Sequence, residues 1–133
     1  MNTRKRGVSG IGAGEAGDLL GILRDLRGTN GVAASTVISR EGQPIASDLP
    51  ERVNLDVLAL RTAFIQGIGE LVMESVEDEE AQTVVIVADE HYIMTTAIDD
   101  RHILVVVLDR TVELGSMIPV ILGAAASLHQ VLE

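Results

Sequence analysis

Apolar residues recur along this chain at two spacings, and the switches between them mark its elements. Between residues 15 and 26, Leu19, Ile22, Leu23 and Leu26 repeat at helical spacing, and Gly28-Thr29-Asn30-Gly31 stops that helix. Residues 32–38 are small and β-branched, which suits a pleated strand. Glu41-Gly42 supplies a tight turn, because glycine takes positive φ without steric cost. Pro44 and Ile45 open a second strand, which Ser47 and Asp48 end. After Pro50 a second helix, capped near Asn54, runs to about Ser75. Residues 83–88, 91–98 and 102–108 read as three strands joined by short turns, the first and last almost continuously apolar, as for strands covered on both faces. A last helix begins near Leu114-Gly115-Ser116, with Met117, Ile118, Ile121, Leu122, Ala125, Leu128 and Leu132 on its stripe. Pro119 fits only if that helix starts within the few residues before it.

The order α-β-β-α-β-β-β-α predicts an α/β (α+β) domain of three layers, a five-stranded antiparallel sheet with helices on both faces. Residues 1–14, rich in Gly with a basic start, read as a flexible N-terminal tail, and residues 15–133 as one domain. The acidic stretch 77–80 reads as a solvated loop.

The second helix departs from the ordinary pattern. At about 100° per residue, Val57, Leu60, Phe64, Ile68 and Leu71 form one stripe, and Leu55, Leu58, Ile65, Val72 and Val76 another. Asp56, Gln66, Glu70 and Glu74, with Ala59 and Ala63, make a narrow polar wedge. A helix between one sheet and water needs a single apolar face, so two stripes imply two packing partners. One is expected to be the chain's own sheet and the other to come from outside. Arg61 falls between the stripes, as a snorkelling side chain or as a contact to an acidic partner group. Gly67 and Gly69 each cost about 1 kcal/mol relative to Ala in a helix, which close approach of another helix would explain.

Composition narrows the function. The 133 residues carry a formal net charge of -10, no Cys, one Phe and one Tyr. The cations beyond Arg6 are scattered, and with so few aromatics for base stacking no nucleic-acid partner is expected. No secretory signal and no apolar run of membrane-spanning length is read, and the expected location is cytoplasmic. Gly12-Ala13-Gly14-Glu15-Ala16-Gly17 matches G-x-G-x-x-G, but no βαβ unit is read around it, so no nucleotide site is assigned. No P-loop motif is present. His91 and His102 open neighbouring strands beside Asp89, Glu90, Asp99 and Asp100, and solvent-facing turn residues are the expectation there, not a metal site. Serines 35, 39, 47 and 116 lie in no nucleophile elbow. No catalytic residue, metal or cofactor is expected, and the chain is not expected to be an enzyme.

Gly31-Val32, then Glu41-Gly42-Gln43-Pro44-Ile45-Ala46-Ser47-Asp48, and finally Leu104 to Asp109 running on to Leu114-Gly115, resemble the roadblock family, named for a dynein light chain. The resemblance spans nearly the whole chain from Gly14, with Glu41 where Asp is commoner and Pro119 unusually early in the last helix. It implies a homodimer or like-chain heterodimer, in which strand 83–88 pairs edge to edge with its twin and the two second helices pack antiparallel. It also implies a scaffold or regulator of a Ras-like small GTPase. Leu58, Arg61, Thr62, Ile65, Gly69 and Val72, with Thr83, Val85 and Val87, are the expected dimer or partner face. Two alternatives stand beside this: a structural light-chain subunit without GTPase regulation, and a small-ligand sensor, which the scarcity of aromatic and convergent polar groups disfavours.

Overall fold

A computed structural model of the chain describes residues 4–8, 12–76, 79 and 82–133. In chain order the elements are β1 (Arg4–Val8), α1 (Ala13–Arg27), β2 (Val32–Ser39), β3 (Pro44–Pro50), α2 (Leu55–Glu74), β4 (Thr83–Val87), β5 (His91–Ala97), β6 (His102–Asp109) and α3 (Leu114–Leu132). The order expected from the hydropathy pattern holds from α1 to α3, in three layers.

The sheet runs β1-β3-β2-β6-β5-β4, every neighbouring pair antiparallel. Five of these strands are the expected ones, and the sixth corrects the reading of residues 1–14 as a tail. Arg4–Val8 pair with β3, from Arg4 opposite Pro50 to Val8 opposite Ala46. Without them β3 would present a row of unpaired main-chain groups. Main-chain pairing needs no apolar pattern, so a basic strand at an edge leaves no trace in hydropathy. Residues 1–3 and 9–11 of the expected tail, and most of the acidic loop at 77–80, lie outside the described residues.

Alternation along the central strands divides the core in two. Val37, Leu104, Val106 and Leu108 face α1 and α3, where they meet Leu19, Leu23, Ile121 and Leu128. Ile38, Ile103 and Val105 face α2 and meet Ala59 and Ala63. Contrary to the expectation of no span-length apolar run, α3 has 19 residues without Asp, Glu, Lys or Arg and is long and apolar enough to cross a membrane by length and composition. Its Met117, Ile121, Ala125 and Leu128 are buried in the larger half-core. Pro119 stands one turn inside this helix and leaves the Gly115 carbonyl without its intrahelical donor.

Candidate functional site: the outer face of α2 and the β4 edge

Asn54 caps α2 as its sequence suggests, its side-chain oxygen accepting the Val57 N–H at 3.2 Å. The orientation of the helix is the reverse of the expectation. Its buried residues are Ala59, Thr62, Ala63 and Gln66, so part of the supposed polar wedge faces the sheet. Neither apolar stripe is centred on it, although Leu58 of the second is half-buried beside Leu49 and Val105. The reason is steric and polar together. Ala59 and Ala63 let the backbone lie close to β2 and β6, and Gln66 brings its own partners with it. Its Oε1 accepts the Thr95 hydroxyl at 2.6 Å, and its Nε2 donates to the Gln82 carbonyl at 3.3 Å and to Glu70 at 3.2 Å. A buried amide with both ends engaged carries little penalty. Glu70 then accepts Arg40 Nη1 at 2.6 Å, and Arg40 Nη2 donates to the Asp99 carbonyl at 3.0 Å. A polar chain from the β2–β3 turn through α2 to β5 thus pins the helix.

The large apolar side chains are turned outward. Phe64 is 70% exposed, Leu60 61%, Leu71 60% and Val72 57%. Val57, Ile68 and Val76 are also exposed. Contiguous apolar faces of this size on a soluble protein mark interaction surfaces. One flank of α2 lies over β4, where a β-carbon on Gly69 would come within 2.5 Å of Val84 Cγ2. The other flank meets the β2–β3 turn, where Gly42, at φ +89, brings its backbone against Leu60. The close approach proposed for Gly69 is therefore to this chain's own edge strand, and Gly67 meets nothing. A groove of about 380 Å³ runs along the turn-side flank, floored by Ala63 and Gly67 and walled by Leu60, Phe64 and Leu71 against Arg40 and Glu41.

The expected face residues separate in this frame. Arg61 and Val72 are exposed, and Leu58, Ile65 and Gly69 are half-buried, Leu58 beside Leu49 and Val105 and Gly69 over Val84 of β4. Arg61 makes no ion pair among the described residues. Thr62 does not belong to the outer face: it is buried against the sheet and donates its hydroxyl to the Leu58 carbonyl at 2.7 Å. Thr83 and Val85 are half-buried and Val87 is 61% exposed. Val84 faces α2, so these three alternate onto the opposite side; Thr83 meets Thr96 at 2.9 Å, and Val85 packs on the larger half-core. β4 is the last strand of the sheet, and its outer main-chain groups have no strand partner among the described residues. Leu60, Phe64, Ile68 and Leu71 were visible as a stripe, but only the fold shows that it faces outward.

Polar chemistry elsewhere serves the turns. His91 and His102 each begin a strand of one antiparallel pair, which puts them at opposite ends of it. Asp99 Oδ1 accepts the N–H groups of Arg101 and His102, both at 2.7 Å, and the His102 ring nitrogen Nδ1 lies 2.9 Å away. Burial raises the carboxyl pKa, and the His102 ring with these amides outweighs it, so Asp99 titrates below its ordinary range. No cluster of potential metal ligands occurs among the described residues. The Gly12-x-Gly14-x-x-Gly17 run does follow a strand and open a helix, because β1 exists. Glu15 in the first turn of α1 is wrong for a phosphate, and the three glycines meet nothing.

The profile of the Roadblock/LC7 domain family matches residues 20–108. Among solved structures, the gliding protein MglB of Thermus thermophilus is similar at 20% identity and TM-score 0.81, covering 96% of each chain. MglB of Myxococcus xanthus follows at 19% and 0.77, covering 86% of this chain and 94% of its own. A Roadblock/LC7 domain from Streptomyces avermitilis is similar at 12% and 0.74, covering 85% and 92%. At these identities the likeness is one of fold. Comparison with curated protein sequences finds no match.

Proposed function

Because the chain belongs to the Roadblock/LC7 domain family, we propose that it is a cytoplasmic, non-catalytic adaptor that dimerises and regulates or scaffolds a Ras-like small GTPase. The observation that carries this reading is the outward apolar face of α2 beside the unpaired edge of β4. A twin paired along β4 extends the sheet through main-chain hydrogen bonds. The same twin covers the β4-side flank of α2, with Val72, Val76 and Ile65. The ridge of Leu60, Phe64 and Leu71 lies further round the helix and remains for the GTPase. The chain supplies surface to its partner rather than catalytic groups.

Sedimentation of the purified chain at micromolar concentration tests the dimer. Binding to GDP- and GTP-loaded small GTPases from the same cell tests the partner. A dimer whose affinity depends on the nucleotide supports regulation. A dimer that binds neither form favours the structural-subunit reading, and a stable monomer rejects the interface.

A further inference from the structure

The turn between α1 and β2 carries a chemical feature that the docking reading does not use. Asn30 precedes Gly31, which stands at φ +96 against Val112. The neighbouring main-chain groups are engaged: Thr29 N–H donates to the Leu26 carbonyl at 2.9 Å, Val32 N–H to the Thr29 carbonyl at 3.2 Å, and Asp109 N–H to the Gly31 carbonyl at 2.8 Å. The Gly31 N–H has no acceptor among the described residues, and the Asn30 side chain is exposed with no hydrogen bond. An unengaged amide nitrogen thus follows an unengaged carboxamide. Having no Cβ, Gly31 does not shield its nitrogen.

We infer that Asn30–Gly31 is a site of spontaneous deamidation through a cyclic imide in the folded protein. The Gly31 nitrogen gives its proton to solvent base and attacks Asn30 Cγ, closing a five-membered ring. The Cγ–Nδ2 bond breaks, and the nitrogen leaves as ammonia with a proton from solvent. Water then opens the ring at either carbonyl, leaving aspartate or its β-linked isomer, with no change of oxidation state. Proximity makes the step intramolecular. Either product adds one negative charge to the formal -10. The isomer also lengthens the main chain by one carbon just where Gly31 is held to Asp109 and Val112. Asn54 is the internal reference, because its side chain is occupied as the α2 cap and Leu55 follows it.

The test is incubation of the full-length native chain in mildly alkaline buffer made with oxygen-18 water, followed by peptide mapping by mass spectrometry. The expected result is heavy-oxygen incorporation at position 30, faster as pH rises, with Asn54 intact. N30Q, whose ring would need an extra atom, should show none. An unchanged Asn30, conversion no faster than at Asn54, or conversion only in urea would each overturn the inference.

Discussion

Gly69 of α2 lies directly over Val84 of β4, so that a β-carbon at position 69 would stand 2.5 Å from Val84 Cγ2. Gly67, two residues earlier, has nothing within 4 Å of the same imaginary carbon. Two glycines of one helix, equally costly by propensity, therefore answer to different constraints. Gly67→Ala should raise stability by about 0.5–1 kcal/mol through helix propensity. Gly69→Ala should lower it by about 1–3 kcal/mol, because α2 must lift from β4. Urea midpoints of the two variants decide this, and equal shifts would contradict the contact.

Arg40 and Glu70 are each about one-quarter exposed, and their 2.6 Å contact is the outer link of the chain through Gln66 to Thr95. Arg40→Ala and Glu70→Ala should each destabilise by about 1–3 kcal/mol. The double variant should cost clearly less than the sum of the two, since both remove the same link. Additive losses in denaturant titrations would show that the pair does not act as one.

Asp99 holds two main-chain N–H groups and the His102 ring at the β5–β6 turn. Its carboxyl pKa is lowered on folding, so the unfolded chain binds its proton more tightly and stability falls as the pH drops. The contribution should be complete above the ordinary aspartate value of 3.8 and fade as pH falls through the lower folded value. Unfolding midpoints of wild type and Asp99→Asn, followed from near neutrality into acid, should differ at neutral pH and converge in acid. A constant gap would refute this.

Ser35 is 2% exposed in β2, and its hydroxyl has no hydrogen-bond partner among the described residues. An unsatisfied buried hydroxyl costs about 1–3 kcal/mol. Ser35→Ala should therefore leave stability unchanged or raise the melting temperature, unlike Thr95→Ala, which strips Gln66 of a donor at 2.6 Å. Calorimetry of the two variants gives the comparison.

Phe64 is 70% exposed and contributes little to this chain's own core. Phe64→Asp should leave folding within about 0.5 kcal/mol of wild type, as surface changes usually do. Under the proposed function it should weaken binding of the GTPase, while Val72→Asp should weaken the proposed dimer. Loss of the folded state in either variant, seen by circular dichroism, would mean that the face belongs to this chain's core.

Element order and most boundaries were legible in the sequence, because periodicity, turn glycines and caps act within a few residues of one another. Asn54 capping α2 and Gly42 turning the hairpin are local facts, and they came through intact. That α2 has more apolar circumference than one sheet can cover was legible too. Which side of it meets the sheet was not. Burial is decided by how closely two elements can approach and by whether polar groups bring their partners along. Ala59 and Ala63 win the sheet by being small, and Gln66 by having Thr95, Gln82 and Glu70 around it. Those partners lie up to twenty-nine residues away along the chain, beyond the reach of any local pattern. β1 escaped for the same reason: a basic strand is held by the main chain of β3, and only the folded sheet brings that edge to it.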